Sequence, residues 1–218
     1  MSNRRTGLAG ALALFRNTLL GQKGGASAAT GPVAFGYKMA WLAVKTVRTA
    51  DLVSCLKLED RSSATWPQGV EAAYDPKRNL VFVTPPVEGW TFVVGRGTFP
   101  DDKRSLQNIV GIVRELSSTF GEAQGFASHR VIEYHHWILA RNGHIERCYA
   151  YTGEQGEVLA NTGPITESER KLAFSNLPGD KWTPNESDVM GVAGGWSVDP
   201  TKLTADSGPA EFGVIGRR

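Results

Sequence analysis

Asn142-Gly143 is the dipeptide that most limits what this chain can become. Both residue types tolerate the positive φ that a two-residue hairpin turn demands. The flanking segments, 126–140 and 144–151, are rich in aromatic and β-branched side chains, so a β-hairpin is predicted. A two-residue turn also sets register. Arg141 is then expected opposite His144, Trp137 opposite Cys148 and His135 opposite Ala150. One face would carry Glu133, His135 and Cys148. The other would carry Tyr134, His136 and Ile138 beside Arg147, Tyr149 and Tyr151.

Other elements follow from periodicity and punctuation. Residues 37–47 read as a buried strand, with helix as the competitor because Met39, Leu42 and Ala43 also fit one helical face. Thr49 can cap a short helix reaching Leu58, and a turn-rich stretch around Trp66, Pro67, Gly69, Asp75 and Pro76 follows. Residues 80–84 and 90–94 read as strands. Asp101 or Asp102 caps a helix with Leu106, Ile109, Val110, Val113 and Leu116 inward, ended by Gly121. Thr166 with Glu169 forms a capping box for a helix to about Phe174. Asn185 caps a helix over 186–193, and Asp199-Pro200 looks like a further helix start. From residue 37 to 140 the order is strand, helix, strand, strand, helix, strand. That predicts an α+β fold, an antiparallel sheet with split βαβ (ferredoxin-like) order, extended by a hairpin strand and C-terminal helices. Helices would cover one sheet face, the other being open or closed by the C-terminal segment.

At 218 residues one domain is the default, expected over 35–205, with a leader and linker at 1–34 and a tail at 206–218. A hydrophobic fraction of 41% with 21% charged residues excludes a disordered or fibrous chain. Cys55 and Cys148 are too few for a disulfide scaffold or a thiolate zinc site. No apolar run approaches the roughly 18 residues of a membrane span, so a soluble, cytoplasmic protein is expected. Seven of the 24 basic residues lie in the first 50, before the first acid at Asp51. Residues 51–218 are left with 17 basic against 22 acidic groups, a net of −5. A basic front on an acidic body argues against nucleic acid as the partner and suits a basic protein instead. Residues 1–23 form a basic amphipathic pattern on Leu8, Leu12, Phe15 and Leu19. Its readings are a weakly ordered leader that sometimes packs on the body, a membrane-surface or partner-docking helix, or an export signal interrupted early by Arg16.

The chemistry-bearing residues concentrate in the hairpin. His129, His135, His136 and His144 lie within sixteen positions. On one extended strand His135 and His136 point apart, and His129 would stand roughly 20 Å from His135, so no metal site is expected. The inferred register makes Cys148 and His135 diagonal neighbours beside Glu133, a layout for nucleophilic catalysis, against which stands an inert core thiol. The face with Tyr134, His136, Arg147, Tyr149 and Tyr151 would be a binding platform if exposed, or a packed layer beneath the C-terminal helices. Gly95-Arg96-Gly97 lacks the third glycine of a dinucleotide loop. Glu154, Glu157, Glu167 and Glu169 read as a solvated acidic face. No motif calls for a cofactor or a catalytic elbow.

Four phrases stand together: Gly89-Trp90-Thr91, the run LSSTFGEAQ over 116–124, GEQG over 153–156, and WSVDP over 196–200. In them the chain resembles a family of bacterial α+β proteins of similar length, over about residues 37–203. The resemblance brings no established activity or catalytic residue. It implies a type found among immunity proteins of polymorphic toxins, which act by binding. The missing catalytic signature, the six tryptophans, the Tyr/His/Arg hairpin face and the acidic body set the expected function as a non-catalytic, protein-binding factor, an immunity or accessory protein acting by direct contact. The alternative is a small-ligand binder or hydrolase-like enzyme with a site near His135 and Cys148.

Overall fold

Five consecutive buried residues, Ala40–Val44, form β1 at the middle of the sheet. The computed structural model describes residues 28–95, 103–153, 156–172 and 183–218, side chains 103 and 104 excepted. The basic leader at 1–23, Arg96-Gly97, Asp101 and Asp102, Glu154, and the helix end expected near Phe174 lie outside the described residues.

The elements run β1, α1 (Thr49–Cys55), β2 (Glu59–Ala64), α2 (Trp66–Tyr74), β3 (Val81–Val83), β4 (Thr91–Val94) and α3 (Lys103–Phe120). They continue as β5 (Glu122–His129), β6 (Tyr134–Arg141), β7 (His144–Thr152), β8 (Glu157–Thr162), α4 (Glu167–Arg170), α5 (Glu186–Trp196) and β9 (Gly213–Arg217). A nine-stranded sheet results, in the order β2-β9-β3-β4-β1-β5-β6-β7-β8. The α+β class and antiparallel sheet are as expected. The split βαβ order is not confirmed, because it needs a parallel central pair and the registered pairs are all antiparallel.

Three readings change. The expected tail supplies β9, which slots between β2 and β3. The segment 126–140 is two strands, folded at a turn where Glu133 adopts φ 47°. The turn-rich stretch after Thr65 contains α2, whose start is a complete capping box between Thr65 and Gln68, with Pro67 in the first turn.

Helices cover both faces of the sheet. On one, α1 and α3 bury Leu52, Val53, Leu106 and Val113 against Leu42, Val44, Ile138 and Cys148. On the other, α2 and α5 bury Trp66, Val189 and Val192 against Trp41, Phe82, Phe126 and Trp137. The second face is dominated by aromatics, with Trp41 stacked on Phe126 at 5.1 Å between ring centroids. α2 comes so close to β3 that a Cβ on Gly69 would collide with the Phe82 ring. Gly69→Ala raises helix propensity, yet overpacking governs. We expect it to lower the unfolding free energy by about 1–3 kcal/mol in urea titration. A stabilised variant would show that α2 can slide off Phe82.

Candidate functional site

Residues of β6 and β7 are built as the sequence implies at the turn, and differently beyond it. Asn142 and Gly143 have φ of 49° and 80°, and Arg141 pairs with His144. Past Ala140–Ile145 the register slips by one, because Glu146 is an extra residue on β7. Trp137 therefore faces Tyr149, Ile138 faces Cys148 and His135 faces Tyr151. Glu146 is exposed and closes the bulge by an ion pair to Arg141 at 2.6 Å.

The slip redistributes every candidate. Tyr134, His136 and Cys148 lie on the α1/α3 side, and His135, Arg147, Tyr149 and Tyr151 on the α2/α5 side. The single platform of Tyr134, His136, Arg147, Tyr149 and Tyr151 is thus split between faces. All five are at most 5% exposed, so packing is what forms. His135 and Cys148, expected as diagonal neighbours, are on opposite faces. The physical reason is the period-2 alternation of a strand, which one inserted residue inverts.

On the α5 side Arg147 is the centre of a buried polar network. Its Nε donates to Glu169 Oε1 and Oε2 at 2.8 and 3.0 Å, and its Nη2 lies 2.7 Å from Oε1. Its Nη1 donates to Asn161 Oδ1 and to the carbonyls of Thr162 and Gly163. Glu169 also accepts from Trp137 Nε1 at 2.8 Å and from the Thr166 backbone N–H and hydroxyl, each at 2.9 Å. Burial alone would push the Glu169 carboxyl up. The hydrogen bonds from Arg147, Thr166 and Trp137 and the Arg147 charge outweigh it and hold the carboxyl below its ordinary value. Glu169 therefore does not belong to a solvated acidic face. Trp137 stacks on Tyr149 with centroids 4.6 Å apart, and the Arg147 guanidinium lies 5.7 Å from the Tyr149 ring centroid.

On the other side the chemistry is that of neutral groups. Burial pushes the Cys148 thiol up to about 11, although the Arg147 charge pulls against it, so the thiolate needed for attack is scarce at neutral pH. Burial, with the neighbouring His135 charge, lowers His136 to about 3. The ring is neutral and its Nδ1 is 2.9 Å from the Tyr134 hydroxyl. Tyr134 is raised far out of reach by burial and then by the Cys148 charge. Next to Cys148, α3 stops short of β8 and leaves a cavity of about 430 Å³. Leu106, Val110 and Arg114 of α3 line it against Ile145, Cys148 and Leu159.

The turn at β5–β6 brings His129 beside the Ser128–His135 pair, overturning the 20 Å separation expected along one strand. Ser128 donates its hydroxyl to Glu186 Oε1 at 3.1 Å, and His135 Nε2 is 3.9 Å from Glu133. His135 is lowered to about 4, first by burial and then by the His129 charge, against the pull of Glu186. Among the described residues no group of three His, Cys, Asp or Glu side chains is placed to hold a metal.

Sequence reasoning missed the role of Glu169 toward Arg147, the strand β8 and the groove residue Arg114. For β8 a signal existed, since Gly156 followed by the run EVLANT is a turn and a short strand. Nothing local marks Arg114 or the Arg147–Glu169 pairing. Comparison with family models, curated protein sequences and solved structures finds no match to this chain.

Two outcomes follow from these groups. Glu169→Gln should cost about 3–5 kcal/mol in chemical denaturation, since it leaves a buried guanidinium uncompensated. The double variant Arg147→Met/Glu169→Leu should lose less than the two single variants summed. A single-variant loss below about 1 kcal/mol would show that the pair is dispensable. Both depressed histidines give stability that is full above pH 6.5, where the unfolded rings are neutral as well. It is lost as the pH falls toward 4, because only the unfolded chain then takes up protons. Unfolding free energy should drop by about 5 kcal/mol from pH 8 to 4.5, and His135→Gln should nearly halve the slope. A flat profile would mean that both rings protonate in the fold.

Proposed function

We propose that this is a non-catalytic binding protein that captures a strand of a partner protein along the outer edge of β8. The observation that carries it is the contrast between the two edges of the sheet. β2 is guarded by Glu59, Asp60 and Arg61 and by Asp60 at φ 49°, whereas a register shift occurs on both edge strands, between Glu59 and Ser62 on β2 and at Leu159 on β8. β8 has one charge, Glu157, while Val158 is 47% exposed and Ile165 beyond it 39%. Among the described residues no strand pairs with its outer edge.

An exposed antiparallel edge offers unpaired N–H and C=O groups, the basis of recognition by strand addition. The buried Arg147 network ties β8 to β7 and α4, so the edge is held ready rather than ordered on binding. The acidic balance of residues 51–218 favours a basic partner by electrostatic steering. The high pKa of Cys148 and its separation from His135 support a role without covalent catalysis. The toxin-immunity type that the sequence resembles is a binding type and agrees with this reading.

The test places guards on β8 such as β2 carries. Glu157→Lys/Val158→Lys alters two exposed side chains, so the thermal midpoint should stay within about 2 °C, since exposed substitutions change little. Capture from the native host, quantified by mass spectrometry, should lose the stoichiometric partner seen with the unaltered protein. Equal capture by both would sink the β8 assignment.

A further inference from the structure

The cavity beneath the overhanging strands has a chemistry of its own, independent of the β8 edge. α3 packs over β1, β5 and β6 and reaches β7, whereas the sheet continues to β8. The space left is about 430 Å³, inside the range of roughly 300–1,000 Å³ usual for small-molecule sites. Its floor and wall are apolar: Leu106, Val110, Ile145, Cys148 and Leu159. On its polar side a wider, more open cavity of about 800 Å³ shares Gln107, Gly111 and Arg114 with it and adds Asn108, Glu115 and Arg218. Arg114 stands where the two meet. It is exposed, and none of the ion pairs among the described residues uses it.

Gly111 points the same way. It lies in the middle of an 18-residue helix, where glycine costs about 1 kcal/mol relative to alanine. No tight packing calls for it, because a Cβ there would meet no heavy atom within 4 Å. Its missing side chain would stand in the mouth shared by both cavities. A glycine here, with no backbone or packing requirement, leaves open the space that a ligand would use.

We propose that this groove binds an amphipathic carboxylate, with its apolar part over Ile145, Cys148 and Leu159 and its carboxylate on Arg114. The guanidinium supplies paired donors for a carboxylate, and the apolar wall supplies burial without an unpaired charge. The thiol of Cys148 is a soft, neutral part of the wall.

The probes are decanoate and decanol, which share a tail and differ in charge, each used below its aggregation threshold and followed by thermal shift and titration calorimetry. Decanoate should raise the midpoint saturably, and decanol should bind at least about tenfold more weakly. Arg114→Gln should weaken decanoate about tenfold and leave decanol unchanged, while Arg114→Lys restores part of the loss. Gly111→Leu should fold with an unliganded midpoint at or above that of the unaltered protein and bind neither probe. Absence of decanoate binding overturns the proposal, as does undiminished binding to Gly111→Leu, which would place the ligand elsewhere. Equal binding of both probes with no effect of Arg114→Gln overturns the carboxylate assignment.

Discussion

The Arg147–Glu169 ion pair is the interaction on which the C-terminal half of the molecule depends. Both side chains are at most 1% exposed, so neither charge is screened by water and each would be costly alone. Their satisfaction draws in the Trp137 indole, the Thr166 backbone and hydroxyl, Asn161, and the carbonyls of Thr162 at the end of β8 and Gly163 just after it. Trp196 at the end of α5 joins through Thr166 Oγ1 at 3.1 Å. One buried pair thereby fastens β6, β7, β8, α4 and α5 to one another. Such a pair adds specificity more surely than stability, because any other register leaves a charge unpaired in the core.

The bulge at Glu146 is the backbone counterpart of that pair. Without it Arg147 would point to the α3 side, into the layer of Ile138, Ala140 and Ala150. With it the guanidinium turns toward α4, and Tyr149 turns with it to stack on Trp137. Gly163, at φ +81°, lies against the Glu146 carbonyl so closely that no Cβ fits. The β8–α4 connection can therefore wrap the bulge and present its own carbonyl to Arg147. Ion pair, bulge and glycine are mutually consistent choices, the condition for a single well-defined fold.

The overhang of β8 beyond α3 sets both proposed sites side by side. A helix of 18 residues crosses only part of a nine-stranded sheet. β8 keeps an open edge as the last strand of the sheet, and the strip between it and the helix keeps an apolar hollow. The edge would use backbone groups and the hollow side chains, so the two can operate side by side on one scaffold.

Much of the local structure was legible in the sequence. The Asn142-Gly143 turn, the inward face of α3 and the caps at Thr166, Asn185 and Asp199 appear as read. Each is decided by interactions across a few residues, which propensity and periodicity report. The Thr65–Gln68 capping box was equally local, and the nearby prolines and glycine obscured it. β9 was not legible, since a strand from the far end of the chain is recruited by pairing with β2 and β3 rather than by its own composition. Local sequence is enough to place the hairpin turn and to crowd its strands with His, Tyr, Arg and Cys side chains. The face each of them takes is set by long-range packing. The deciding bulge is stabilised by Glu169, 22 residues along the chain from Arg147, and no pattern within the hairpin contains that partner.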